Sequence, residues 1–545
     1  MTAAQAIVEC MKLEEIKHVF CVPGESYLPL LDALYDTESI EVISARHEGG
    51  ASFIAEGYAK ATNKPGVVMA TRGVGAANLS IGVHTAFQDS TPMVVFLGQV
   101  HSKFRGREGF QEVDLDQYFG HIAKWAVEVN DPDRMPELVQ RAFRIAQTGR
   151  PGPVIVSLPE NVLPSIAEMS FGPATVRPKP APATDEIMRV DALLQKAKKP
   201  LIIAGGGVKS SNAEESLIAF AEKFSIPVIA AFRRQDVFPN DHKLYAGHLG
   251  LGTSKEVLQT VRESDVILAI GTRLSEVTTQ DYTIITSDKK LIHIDINIET
   301  LGKVYAPDVG IVADSGEALE KLLDLTCSVN WKAWASERNT AYRQVSDLRA
   351  TSEDVINKQI IASLERKLPK DTVITNDAGN FAGWFHSFYP FTRAKTYVGP
   401  TSGAMGYGMP AALGVKLADQ SKTVVSLSGD GGFMMTVQEL ETAVRYQIPI
   451  ISLVFNNNMY GTIRMHQEIH YPEKVIATGL GEVSFSKLAE SVGAHGFTVH
   501  SLSDFENALD KALHNHGPTV IEIITDGEDI SVSSTIQQLR DRVKK

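Results

Sequence analysis

The chain has 545 residues, too many for a single core, and its 43% hydrophobic and 22% charged residues are the balance of a folded globular protein of two to four domains. A net charge of −12 with no lysine–arginine block argues against a nucleic-acid-binding surface, so an anionic ligand would need local devices such as helix N-termini or a metal. Cys10, Cys21 and Cys327 fit no zinc spacing, the first 20 residues carry acids where a secretory leader would be apolar, and no apolar run reaches membrane-span length; a cytoplasmic protein is expected.

Residues 1 to about 165 alternate helix patterns with short apolar strands, HVFCV, EVISA, GVVMAT, MVVFLG and PVIVSL, most of them closed by Gly or Pro. Near-continuous apolar strands separated by helices indicate a parallel sheet covered on both faces. Just after EVISA, Glu48 precedes Gly49, Gly50, Ala51 and Ser52, and a helix pattern follows. Small residues let another body come close, and a carboxylate beside them is costly to bury without a partner. Taken alone, Glu48 reads as a solvated acid at a strand end.

The proline-rich stretch FGPATVRPKPAPATDE, 171–186, has no periodicity and reads as an extended linker. A second α/β segment follows to about residue 330, with PLIIAGGG, IPVIAA, DVILAIG and LIHIDI as strands. Its GGG at 205–207, alone, is more often a tight strand–helix turn than a nucleotide site. Beyond a polar helical stretch, 331–352, come DTVITNDAG, KTVVSLSGD, PIISLVFNNN and PTVIEIIT. The expected fold class is α/β, three successive doubly wound parallel-sheet domains at 1–168, 187–330 and 353–545, with a linker at 169–186.

In the third segment the strand TVVSL ends in Gly429-Asp430-Gly431-Gly432, and the next, IISLVF, ends in Asn456-Asn457-Asn458. Both turns fall at carboxyl ends of neighbouring parallel strands, where ligands sit in open α/β folds. Asp430 and Asn457 are 27 positions apart (457 − 430), about one strand–helix–strand crossover. That spacing brings a carboxylate and an amide oxygen together, and backbone carbonyls with phosphate oxygens would complete a Mg²⁺ octahedron. Gly431 and Gly432 leave N–H groups at a helix start for a diphosphate. A lone GDG is usually just a turn; the strand context, the spacing and the triple Asn favour the metal and diphosphate.

GDGG followed by FNNN resembles the signature of the thiamine diphosphate enzymes, and the resemblance covers essentially the whole chain. RHEGGASFIAEGYAKATNKPGVV, GVGAANLSIGVHTAFQDSTPMVVFLGQV, FQEVD, GRPGPVIVSLPENV and MGYGMPAALGVKLA stand in the order of the acetolactate synthase-like branch. The resemblance implies pyrimidine-binding, middle and diphosphate-binding domains in that order, with thiamine diphosphate and Mg²⁺ as cofactors. It implies a homodimer in which the pyrimidine domain of one subunit faces the diphosphate domain of the other, a homotetramer being the family's usual habit. Glu48 is then implied to hydrogen-bond the aminopyrimidine and favour the imino tautomer that removes the C2 proton. Met405 matches the bulky apolar residue that props the bent cofactor, and the Gly403 carbonyl the acceptor for its amino group. Met459 would add its backbone carbonyl to Asp430 and Asn457 as a third metal ligand. Gly379 and Asn380 match a loop touching the diphosphate, although Asn380 fits a helix cap equally well.

The implied activity is decarboxylation and carboligation of a pyruvate-like 2-oxo acid. The alternative is a non-oxidative decarboxylase or an aldehyde carboligase or lyase; a flavin-linked pyruvate oxidase and a non-catalytic cofactor-binding protein stand further off. Gln111, in FQE, matches a glutamine that reaches the reacting centre, against a plain polar loop residue. Two departures bear on the acceptor. Ser275, Glu276 and Val277 stand where synthases carry an arginine run for the acceptor carboxylate, and Glu160 stands where they carry lysine. CVPGES resembles the PGD of simple decarboxylases, so Glu25 reads as an acid near C2 or as an ordinary acid at a helix start. His84 reads as a core-edge histidine or a pocket group, and His466 replaces a tryptophan that shapes acceptor choice in anabolic synthases. FAD is possible but not favoured, because AGHLGLGTS, GTRLSE and IHIDI hold flavin positions while the departures fall in the same region.

Overall fold

The computed structural model describes residues 1–348 and 355–543. The first sheet takes β1 (His18–Cys21), β2 (Glu41–Ser44), β3 (Gly66–Thr71), β4 (Met93–Gln99), β5 (Trp125–Glu128) and β6 (Pro153–Pro159), in the order β2-β1-β3-β4-β6-β5. The second takes β7 (Pro200–Ala204), β8 (Val228–Ala230), β9 (Tyr245–His248), β10 (Val266–Ile270), β11 (Lys290–Asp295) and β12 (Val309–Val312), in the order β12-β11-β10-β7-β8-β9. The third takes β13 (Val373–Asn376), β14 (Tyr397–Val398), β15 (Val424–Gly429), β16 (Ile451–Asn456), β17 (His495–Val499) and β18 (Thr519–Ile524), in the order β14-β13-β15-β16-β18-β17. The strands run parallel, as their buried apolar sequences require. The α/β architecture of three doubly wound sheets is therefore present. In each sheet the chain builds on one side of the first strand and then crosses to its other side, giving a switch point between β1 and β3, β7 and β10, and β13 and β15. Loops leaving two such strands diverge and open a crevice at their carboxyl ends.

Five strands, β5, β9, β12, β14 and β17, were not legible in the sequence, and each lies at a sheet edge. The expected linker ends early. A helix already runs over Thr184–Leu194, and Glu186 folds back to accept the Ala183 N–H at 2.8 Å. The polar stretch expected over 331–352 is helix over Lys332–Ser346; its residues 349–352 and the expected domain start at 353 lie outside the described residues.

The chain divides into two compact units. One comprises Met1–Pro178, Ile374–Gly379 and Val398–Gly527. Inside it the Glu48–Thr62 helix crosses the Gly408–Ala418 helix at backbone contact distance. A Cβ on Gly414 would lie 2.0 Å from the Ile54 carbonyl oxygen, and one on Gly57 would lie 2.5 Å from that of Ala411. Buried acids beside the crossing are paired, as they must be. Lys60 bridges Glu56 at 2.9 Å and Asp89 at 2.8 Å, and the Tyr407 hydroxyl donates to Glu56. Asp89 also accepts the Thr401 N–H at 3.0 Å, and Lys60 donates to the Gly399 carbonyl at 3.2 Å. This cluster fixes the loop that carries Gly403 and Met405.

The other unit comprises Lys179–Val373, Asn380–Tyr397 and Glu528–Lys545. Its sheet closes its own switch point: the Gly207 N–H donates to the Gly271 carbonyl at 2.8 Å, and a Cβ on Gly207 would lie 2.6 Å from the Gly271 Cα. Lys209 pairs with the buried Asp236, which also accepts the Thr396 and Tyr397 N–H groups. No helix among the described residues is long and apolar enough to cross a membrane.

Candidate active site

At the third sheet's switch point, β15 delivers Asp430 as the first residue of a short helix, Asp430–Met435. Asp430 is buried. Its Oδ1 accepts the Gly431 N–H at 2.8 Å and its Oδ2 the Met459 N–H at 3.2 Å. Burial pushes its carboxyl above the ordinary range, against the opposing effect of N–H groups from Gly431, Met459, Asn457 and Asn458. Among the described residues no cationic side chain pairs with it, and a buried carboxylate lacking a counter-ion suits a hard divalent cation.

The triple asparagine divides its work. Asn456 is locked, accepting the Asn458 N–H at 3.1 Å and donating to the buried Glu522 at 2.9 Å. Asn458 turns left-handed at φ +54°, so the chain doubles back and Met459 reaches Asp430. Asn457 stands half-buried just past the strand end. Asp430 and the 457–459 turn are thus brought together. Among the described residues no cluster of three His, Cys, Asp or Glu forms, and the oxygen donors here are a carboxylate, an amide and backbone carbonyls.

Gly431 and Gly432 have no room for side chains: a Cβ would meet the Tyr460 ring at 2.5 Å or the Asp377 Oδ2 at 2.5 Å. Asp377, across the crevice beyond β13, is fully buried and accepts the N–H groups of Ala378 at 2.7 Å and Gly406 at 3.0 Å. It ties down the loop in which Gly403 (φ +70°) is exposed and Met405 is half-buried. Sequence reading passed over Asp377 although it stands in the same NDAGN segment. Gly379 ends a segment of the first unit and Asn380 opens one of the second. Asn380 stands at the N-cap position of the Phe381–Phe388 helix without a side-chain cap bond, and its Nδ2 donates to the Ile530 carbonyl at 2.8 Å.

Glu48 is the first residue of its helix, capped by His47, whose Nδ1 accepts the Gly49 N–H at 3.0 Å. Half-buried, Glu48 accepts from Asn78 Nδ2 at 2.9 Å, and a Cβ on Gly75 would lie 3.2 Å from its Oε1. Among the described residues this is the one hydrogen bond of its side chain; none joins that side chain to Gly403, Met405 or Asp430. Its backbone is held from elsewhere. The buried Glu439 accepts the Arg46 N–H at 3.1 Å, the His47 N–H at 3.0 Å and the Thr442 hydroxyl at 2.7 Å. Burial pushes the Glu439 carboxyl up, against those bonds. Nothing in the sequence marks Glu439 apart from other polar helix residues.

Glu25 opens a 3₁₀ turn, Glu25–Tyr27, after β1. The turn is pinned to the end of β3 by a 2.7 Å bond between Ser26 Oγ and Thr71 Oγ1. Burial first, then the nearby Cys21 and Glu48, push the Tyr27 hydroxyl well up. Glu25 is exposed and paired with Arg72 at 3.0 Å. Gln111 is half-buried at φ +64°, and its carbonyl accepts the Gly73 N–H at 3.0 Å. His84 is exposed on the Arg72–Asp89 helix, and His466 stacks on His470 with ring centroids 6.2 Å apart.

Three family descriptions match the chain in order: thiamine pyrophosphate enzyme, N-terminal TPP binding domain, at residues 1–118; central domain at 187–322; and C-terminal TPP binding domain at 377–523. The chain belongs to the thiamine pyrophosphate enzyme family. Curated relatives of this thiamine pyrophosphate enzyme include the probable acetolactate synthase large subunit of Methanocaldococcus jannaschii, 33% identical over 96% of this chain and 92% of the relative. Acetolactate synthase isozyme 3 large subunit of Escherichia coli is 31% identical over 97% and 96%, and the large subunit of Corynebacterium glutamicum 34% over 98% and 88%. The chain is a thiamine diphosphate-dependent enzyme similar along nearly its whole length to acetolactate synthase large subunits.

Proposed function

We propose that this enzyme is a Mg²⁺- and thiamine diphosphate-dependent carboligase of pyruvate-like 2-oxo acids, working as a homodimer with shared sites and assembling as a homotetramer. The observation that carries the reading is Asp430, a buried acid without a cationic partner among the described residues, beside the 457–459 turn at a sheet switch point. Asp430, Asn457 and the Met459 carbonyl would hold Mg²⁺, with the Gly431–Gly432 backbone against the diphosphate and Gly379 and Asn380 lining its loop. Bound thiamine diphosphate supplies a carbon nucleophile for the donor carbonyl and an electron sink when CO₂ leaves. Glu48 would hold the aminopyrimidine ring and set its proton distribution, the Gly403 carbonyl would accept from its amino group, and Met405 would keep the two rings bent together. Gln111 would stand beside the reacting carbonyl. No step calls for FAD.

Decarboxylation ending in protonation is the second reading, and Glu25, an exposed acid in the turn next to Glu48, favours it. The test is to incubate the protein with pyruvate, Mg²⁺ and thiamine diphosphate and identify the products. A hydroxyketone product, acetolactate or acetoin, is expected. Acetaldehyde alone selects the decarboxylase, and hydrogen peroxide with acetyl phosphate selects a flavin oxidase, which would also colour the purified protein.

A further inference from the structure

Arg72 stands at the first sheet's switch point as the first residue of its helix, in a left-handed conformation with φ +42°. Its side chain is 8% exposed and is held on several sides. Nη1 lies 3.0 Å from Glu25 Oε1, Nη2 lies 2.9 Å from Glu160 Oε2, and the guanidinium carbon lies 5.9 Å from the centroid of the Phe110 ring. Its Nε is buried without a hydrogen-bond partner. Glu25 follows β1, Arg72 follows β3 and Glu160 follows β6, so these charges line the carboxyl edge of one sheet. The same helix brings them to Glu48, because Gly75, one turn beyond Arg72, lies against the Glu48 carboxylate.

Two carboxylates share one guanidinium, and Glu48 lies against the same helix at Gly75. Arg72 has both Nη groups engaged and cannot offer a substrate carboxylate the two-pronged grip an arginine otherwise gives. Glu25 is 69% exposed, so part of the surplus negative charge is open to solvent. An acceptor carrying a carboxylate would meet like charge and an Arg72 guanidinium already engaged, whereas an uncharged carbonyl would meet neither obstacle. The donor's carboxylate is a different case. Repulsion acting on it is relieved when it departs as CO₂, while an acceptor's carboxylate keeps its charge into the product.

We propose that the Glu25–Arg72–Glu160 chain makes the site select an acceptor without a carboxylate, an aldehyde or simple ketone, over a second 2-oxo acid. This rests on the carboligase reading above. The donor's bond to its carboxyl carbon breaks, CO₂ leaves, and the electron pair left behind forms the bond to the acceptor's carbonyl carbon. The acceptor oxygen takes one proton, and a neutral 2-hydroxy ketone is released. Glu25 and Glu160 act through Arg72 and through their charge, as specificity residues.

The test uses the holoenzyme with pyruvate as donor and acetaldehyde added at equal concentration, so that both compete as acceptor, with CO₂ release and the acetoin-to-acetolactate ratio followed by mass spectrometry. Wild type is expected to favour acetoin by about tenfold or more. E160Q and E160K should shift the ratio towards acetolactate in that order while CO₂ release persists. A wild-type ratio favouring acetolactate, or a ratio unmoved in both variants while CO₂ is released normally, overturns the proposal. Failure of wild type to release CO₂ from any 2-oxo acid overturns the carboligase reading, and the proposal falls with it.

Discussion

A buried carboxylate must be satisfied by N–H and O–H donors, and Glu439 takes two of its donors from Arg46 and His47, the residues immediately before Glu48. Its truncation in E439A leaves those N–H groups without acceptors, at about 1–3 kcal/mol each, and frees the turn that aims Glu48. E439Q keeps an acceptor oxygen in place. E439A is therefore expected to melt earlier and to slow exchange of the cofactor's C2 proton, followed by NMR, while E439Q restores most of both. The pH dependence has a definite sign. Burial raises the folded-state pKa of Glu439, so its stability contribution is full below the ordinary Glu value and is lost as pH rises through the raised one. E439Q lacks that titration and should gain on wild type in thermal midpoint from acid to neutral pH; a pH-independent difference would contradict this. Legibility at this scale follows chain distance. Glu48, Asp430 and Asn457 were readable because each follows a strand pattern next to glycines or other asparagines. Glu439 and Asp377 were not, because the loops they tie down are reached through the N–H groups of Arg46 and Gly406, 393 and 29 residues away. Arg72 was missed for the same reason: its partners Glu25 and Glu160 come from strands that only the fold makes neighbours.

At the level of elements, the inner strands announced themselves and most edge strands did not. β4 is buried at all seven positions and reads as one apolar run, MVVFLGQ. β5 is half-exposed at every position, β17 is buried at one of five, and β14 has two residues, so none carries the apolar run that reveals a central strand. β9 contains Gly247 at φ +106°, which breaks the pattern. The helix crossing was legible as composition, small residues in both helices, but not as a contact. It yields a measurable expectation. In G414A the added methyl meets the Ile54 carbonyl oxygen at 2.0 Å and the Tyr58 nitrogen at 2.7 Å, so the helices must separate. The expected cost is about 1–3 kcal/mol, read as a lower thermal midpoint. An unchanged midpoint would mean that the two helices tolerate a shift the packing does not suggest.

For the whole molecule, the place of Glu48 gives the proposed shared-site dimer a direct test. The Glu48 carboxylate accepts from Asn78, and the shared-site dimer proposed above would draw the diphosphate partner of a ring held by Glu48 from a second copy. Symmetry then makes a mixing experiment informative. In a homodimer with two shared sites, each site draws Glu48 from one chain and Asp430 from the other. E48Q alone is expected to keep its fold and cofactor binding but to lose most C2 exchange. D430A alone should weaken cofactor binding about tenfold or more, as for one lost charge-assisted contact, in a Mg²⁺-dependent way. When the two variants are mixed at a cofactor concentration that leaves D430A sites empty, and their subunits exchange, each heterodimer holds one doubly altered site and one site with both acids intact. Equal mixing makes half the dimers mixed, so activity should return to roughly one quarter of the wild-type level. Native mass spectrometry of differently tagged chains verifies the exchange. No recovery in a mixture shown to contain heterodimers would place Glu48 and Asp430 of the same chain in one site, and the shared-site dimer would have to be given up.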